Sequence, residues 1–178
     1  MKTITVKDKS FQVYIPAETI QQRIGSIAAM LNEDLRGKDP FFIVVLNGAF
    51  LFAADVFRRI EIPCEIGFIR VSSYSGTSTT GEIRSLMGLS KDIKGRTVVV
   101  LEDIVDTGHT AVYLVEELKK QQPAEIRFAS LLLKPDALQH HFKPDYTGFE
   151  VPNDFLLGYG LDYDGYGRNL NDIYKLTS

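Results

Sequence analysis

The chain has 178 residues, 44% of them hydrophobic and 24% charged, and a net charge of −3 at pH 7, which suits one globular domain with a real core and excludes disorder as its main state. Its longest apolar run, Phe41–Leu46, is far short of the roughly 20 residues that span a bilayer, and its single cysteine, Cys64, excludes an intrachain disulfide framework or a Cys-based zinc cage. The acidic balance speaks against a strong nucleic-acid footprint, and the charged start, Met1–Asp8, carries no long apolar stretch of a signal peptide, so a soluble cytoplasmic protein is expected.

In chain order, residues 3–15 read as strand or edge structure, because Ile4, Val6, Phe11, Val13 and Ile15 are interleaved with polar residues. Ile20, Ile24, Ile27, Leu31 and Leu35 then recur at helical spacing, and Gly37 and Pro40 stop that helix. Phe41–Leu46 is a continuous apolar run of the kind that makes a strand buried on both faces, broken by Asn47–Gly48. Residues 50–60 look helical, with Leu51, Ala54, Val56 and Phe57 inward. Strands are expected at Cys64–Val71, Thr97–Leu101, Ile126–Leu133 and Phe155–Tyr159. Residues 109–121 form an amphipathic helix that ends before Pro123. Strands alternating with helices imply an α/β fold with a mainly parallel, twisted sheet flanked by helices. Ligands of such sheets sit beyond the carboxyl ends of the strands.

One segment carries chemistry at that position. The apolar strand Val98–Leu101 delivers the adjacent acids Glu102 and Asp103, a third acid, Asp106, and then the turn Thr107–Gly108–His109–Thr110 that opens a helix. Amides at a helix N-terminus, with threonine hydroxyls, make a phosphate cradle. Carboxylates accept hydrogen bonds from sugar hydroxyls and can help to hold Mg²⁺. Together they describe a sugar-phosphate site.

The order Glu-Asp-x-x-Asp-Thr-Gly-x-Thr resembles the phosphoribosyl-diphosphate (PRPP) signature of the type I phosphoribosyltransferases, and most of all their hypoxanthine-guanine branch. Further motifs from about residue 40 to 170 extend the resemblance. Leu46–Asn47–Gly48–Ala49 stands where the family has a pyrophosphate-binding loop, often with a cis peptide. Many members carry Lys where this chain has Asn47, so contact there is expected through backbone amides. Ser72–Glu82, with Ser73–Tyr74, resembles the long catalytic loop. It has too little apolar surface to offset its ordering entropy, so the expectation is a lid that closes over substrates. Lys134, after Leu131–Leu133, matches the lysine that donates to the 6-oxo group of the purine. An ammonium has only donors, so it favours hypoxanthine or guanine over adenine. Asp154–Tyr163 resembles the base-binding hood.

The resemblance implies one phosphoribosyltransferase domain over 1–178, with a small hood built from N- and C-terminal segments. It implies Asp106 as the catalytic group near purine N7, and Glu102, Asp103, Thr107, Gly108, His109 and Thr110 on the ribose and its 5′-phosphate. Asn47, Gly48 and Arg168 would meet pyrophosphate. Lys134, Phe155, Leu156 and Asp162 would hold the purine, and Glu102, Asp103 and Asp162 would serve Mg²⁺. The expected ligands are PRPP, a 6-oxopurine and the purine nucleoside monophosphate, with no nucleic acid or membrane, in a homodimer or homotetramer. The rival reading is a nucleotide-sensing regulator of the same fold that binds nucleic acid. His140–His141 is a poor metal pair, because sequence neighbours do not point to one site. The His109 ring is expected to point outward, and Cys64 to be buried and inert.

Overall fold

The computed structural model describes residues 2–73, 83–87, 89 and 91–177. Its larger sheet takes strands β3 (Phe41–Leu46), β4 (Glu65–Ser73), β5 (Ile83–Met87), β6 (Thr97–Val105), β7 (Glu125–Leu133) and β8 (Tyr146–Glu150) in the order β5-β4-β3-β6-β7-β8. All neighbours pair in parallel except β4 and β5, which are antiparallel at one edge. The smaller sheet joins the two ends of the chain. It contains β1 (Thr3–Val6), β2 (Lys9–Ile15), β9 (Leu156–Leu157) and β10 (Ile173–Leu176) in the order β1-β2-β10-β9.

The apolar runs explain the layering. Along β3, Phe42 and Val44 face one cluster with Val99, Leu101, Ala129 and Leu131, covered by α1 (Ala17–Asp34) and α2 (Phe50–Phe57). The alternate residues Phe41, Ile43 and Val45 face a second cluster with Val98, Val100 and Phe128, covered by α3 (His109–Lys119). Both faces are buried, so alternation vanishes from the sequence and each strand reads as unbroken apolar. Each buried large side chain contributes about 1.5–3 kcal/mol relative to exposure. A third cluster, Phe11, Leu157 and Tyr174, forms under the smaller sheet.

Several boundaries differ from the sequence reading. β6 runs on past Leu101 to Val105, because its ladder with β7 continues through Glu102–Ser130 to Val105–Leu133. The late strand is only Leu156–Leu157. In α2, Phe52, Ala53 and Val56 are buried while Ala54 faces outward, since the α2 stripe is set by the sheet it covers. β5, β8 and β10 are strands for which the sequence pattern gives no signal.

The start of α1 has an unusual cap. Pro16 precedes it and offers no side-chain acceptor. Asp172, next to β10, supplies one instead: its Oδ1 accepts from Ala17 N at 2.8 Å. Its Oδ2 faces Lys2 Nζ at 3.2 Å. The Ala17 amide first, and then Lys2, hold the Asp172 carboxyl below the usual carboxylate range, against the opposing effect of burial. A depressed folded value stabilises the fold above the ordinary carboxylate range, and that stabilisation is lost as pH falls through the folded value. Asp172→Ala should therefore lower stability by about 1 kcal/mol at neutral pH. Thermal melts should show the difference from wild type shrinking as pH falls through the acid range. A constant difference down to the lowest pH would remove the charge from the account.

Candidate active site

Parallel pairing brings the ends of β3, β6 and β7 to one edge of the sheet. Asn47–Gly48 follow β3, Glu102–Asp106 close β6, and Lys134 follows β7. A cavity of about 300 Å³ opens there, lined by Gly48, Glu102, Asp103, Asp106, Thr107, Gly108 and Thr110 among others. Asn47, His109, Lys134, Phe155, Leu156, Asp162 and Arg168 stand outside that lining.

Each acid has its own environment. Glu102 is 6% exposed. Burial first, and the adjacent Asp103 charge second, push its carboxyl well above the ordinary carboxylate range. Asp103 is aimed by the Ile104 amide, which donates to Oδ1 at 2.9 Å. Asp106 is about half exposed and accepts from Lys134 Nζ at 2.9 Å. Lys134 itself is only 8% exposed, so it is not a solvated surface lysine. Its backbone amide also donates to Val105 O at 2.9 Å, which locks the two strand ends together.

The turn after Asp106 is shaped for an anion. Gly108 caps α3 with φ 85°, a left-handed conformation that suits glycine. The first amides of α3 have no partner within the helix, and that of His109 donates to Thr107 Oγ1 at 3.4 Å. His109 is exposed, as expected, yet its ring is engaged: Nε2 lies 2.8 Å from Gln139 Oε1, and Nδ1 lies 2.9 Å from His140 Nε2. His140 thus meets His109 and not His141. Among the described residues, no group of three or more His, Cys, Asp or Glu is placed to hold a metal by itself. Cys64 is only partly buried and lies just before β4; burial raises its thiol pKa.

The pyrophosphate-type loop carries a cis Leu46–Asn47 peptide. Gly48 is packed so closely that a Cβ there would fall 1.8 Å from Asp103 Oδ2. Gly48→Ala should leave the fold intact, because the Asp103 side chain can swing away. The swing would break its hydrogen bond to Ile104, so the KM for the ribose-phosphate substrate should rise about 10-fold. An unchanged KM would mean that Asp103 orientation does not matter.

Above this edge lies the smaller sheet and its loop. Phe155 is 44% exposed. Its ring is backed by Tyr163 at 5.9 Å, edge to face, and by Phe11 at 6.3 Å. A half-exposed ring held from behind has aromatic surface on which another flat ring can stack. Asp162 accepts from the Gly165 amide at 2.7 Å and pairs with Arg168 Nη2 at 2.8 Å. Arg168 Nη1 also donates to Gly160 O at 2.7 Å. Gly160, with φ 99°, abuts the pyrophosphate-type loop: a Cβ there would fall 2.0 Å from Gly48 O. Sequence reasoning missed Gly160, although the alternation Gly158–Tyr159–Gly160 was a visible signal. Ser73 ends β4, and Tyr74 with 75–82 lies outside the described residues.

A parallel sheet whose carboxyl edge carries paired acids, a helix start and a lysine-carboxylate pair has the chemistry that a phosphorylated sugar would need. The phosphoribosyl transferase domain family matches residues 16–164. The chain is 43% identical over 171 residues to a hypoxanthine-guanine phosphoribosyltransferase of Mycobacterium bovis, covering 92% of this chain and 85% of that one. It is 36% identical to the Lactococcus lactis protein of the same name, covering 92% and 90%. A Staphylococcus aureus hypoxanthine phosphoribosyltransferase crystal structure superposes with a TM-score of 0.89 at 34% identity, covering 93% of this chain and 91% of that one. The chain therefore belongs to the phosphoribosyltransferase family, in its hypoxanthine-guanine branch. The regulator reading finds no support among these relatives.

Proposed function

We infer that this enzyme serves purine salvage by transferring the 5-phosphoribosyl group of PRPP to a 6-oxopurine, hypoxanthine or guanine, giving the nucleoside monophosphate and pyrophosphate. The observation that carries the reading is the pairing of Asp106 with buried Lys134 beside the phosphate-cradling turn. One group can take a proton and the other can only donate, and both are positioned by strand ends. The purine presents a matching pair, a ring N7 and a 6-oxo group.

Each residue then has a role in the transfer. The amides of Thr107–Thr110, with the threonine hydroxyls, hold the 5′-phosphate. Asp103 and Glu102 accept from the ribose hydroxyls. Asn47 and Gly48 meet pyrophosphate through backbone amides, and Arg168 offers its guanidinium to the same anion. Phe155 stacks on the purine, while backbone groups of Leu156 and Asp162 read its edge. Lys134 donates to the 6-oxo oxygen. Asp106 accepts or holds the N7 proton as purine N9 bonds to the ribose carbon and the bond to pyrophosphate breaks. The ribose carbon gains oxocarbenium character, shared with the ring oxygen. Keeping water from that carbon falls to the segment that carries Ser73 and Tyr74.

The donor set fits Mg²⁺: it is all oxygen, and Mg²⁺ is commonly held by one or two carboxylates together with substrate oxygens and waters. Asp103 and Glu102 would hold one such ion on the ribose side and Asp162 would approach a second on the pyrophosphate side, and together the ions would neutralise the leaving anion. We place the enzyme in the cytoplasm as a homodimer or homotetramer; among the described residues no helix is long and apolar enough to cross a membrane. Incubation with PRPP, Mg²⁺ and hypoxanthine, followed by mass spectrometry, should show the nucleoside monophosphate and pyrophosphate in equal amounts. Bound PRPP without product would sink the reading.

A further inference from the structure

Tyr159 plays no part in the chemistry above, yet it is among the most constrained residues of the hood. It is buried, has φ 48°, and sits between Gly158 and Gly160, both also at positive φ. A bulky residue rarely adopts that conformation unless its side chain is held. Its hydroxyl donates to Asp55 Oδ2, on α2. Asp55 Oδ2 also accepts from Gln21 Nε2 of α1 at 2.7 Å. Arg59 closes the network, donating to Gln21 Oε1 at 2.9 Å and to Asp55 O at 2.7 Å. Burial first, and Asp55 second, keep the Tyr159 phenol protonated.

The network joins two loops that address different parts of the reaction. Tyr159 is flanked by Gly160, whose backbone abuts Gly48 O and whose carbonyl accepts from Arg168. α2, which carries Asp55, begins at Phe50, directly after Asn47–Gly48–Ala49. Ala53 N donates to Ala49 O at 2.8 Å, so a shift of α2 would carry the loop with it. We propose that Tyr159, Asp55 and Gln21 form a strut that holds the purine-facing hood and the pyrophosphate-binding loop as one unit. Tyr159 and Asp55 are then positioning residues, acting through Gly160 and Gly48.

The proposal rests on the assignment of those two loops, and the test separates the two. Wild-type turnover in both directions first establishes the reaction. Tyr159→Phe removes one hydroxyl and leaves Asp55 its bond from Gln21, so the fold should survive. Its KM for the purine, in synthesis, and its KM for pyrophosphate, in the reverse reaction, should rise together by about three-fold or more. Asp55→Ala should do the same, and the double variant should lose no more than either single one. Asp55→Asn retains an acceptor oxygen and should behave close to wild type. A rise in the purine KM alone, additive losses, or a fall in kcat that only tracks the unfolded fraction would overturn the strut. If wild type itself fails to turn over, the functional reading fails and not the strut.

Discussion

Asp106→Asn is expected to lower kcat by about 100-fold or more while PRPP binds nearly as tightly as before. The substitution keeps size and shape, and the amide oxygen can still accept from Lys134. What it loses is the ability to take a proton from N7 and to stabilise the positive charge that develops across base and ribose. Asp106 is half exposed and lies outside the packed core, so thermal stability should barely move. The 5′-phosphate cradle begins one residue later, at Thr107, and its amides are untouched. Rapid-quench kinetics and a PRPP titration on one preparation separate the two effects. Wild-type kcat would take Asp106 out of the chemistry.

Lys134→Ala should produce the opposite split. Hydrogen bonds to a charged donor are worth about 1.5–3 kcal/mol, so the purine KM should rise about 10-fold or more. The preference against adenine should fall at the same time, because a 6-amino group no longer faces an ammonium that can only donate. Asp106 loses its partner in this variant, but its exposure lets water replace the lysine. Before the purine arrives, Lys134 and Asp106 hold each other at 2.9 Å. The base must therefore trade one ion pair for two hydrogen bonds, one to each partner. An unchanged base profile would mean that Lys134 does not read position 6.

The central strands, and the acids and turn that line the cavity at their ends, were legible in the sequence for a physical reason. β3, β6 and β7 are buried on both faces, so they appear as unbroken apolar runs, and the residues that follow such runs in a parallel sheet share one edge. The polar end of β6 was not legible. Glu102 remains in the ladder opposite Ser130, and Ile104 and Val105 pair beyond it, because β7 continues beside them, which pattern alone does not reveal. β5 and β8 are edge strands, and β10 is a four-residue strand that takes its place by pairing with β2 and β9. Short strands of this kind have little periodicity to read. Side-chain pairs across long separations were equally hidden. Tyr159 and Asp55 are 104 positions apart, and His109 and His140 are 31 apart. Only the fold brings them together.

The most direct test is a spectrophotometric assay with PRPP and Mg²⁺, run in parallel on hypoxanthine, guanine, xanthine and adenine. The account predicts turnover of hypoxanthine, guanine or both, and none of adenine. Turnover of adenine at a comparable rate would contradict the pairing of Lys134 with the 6-oxo group, and with it the reading of the site.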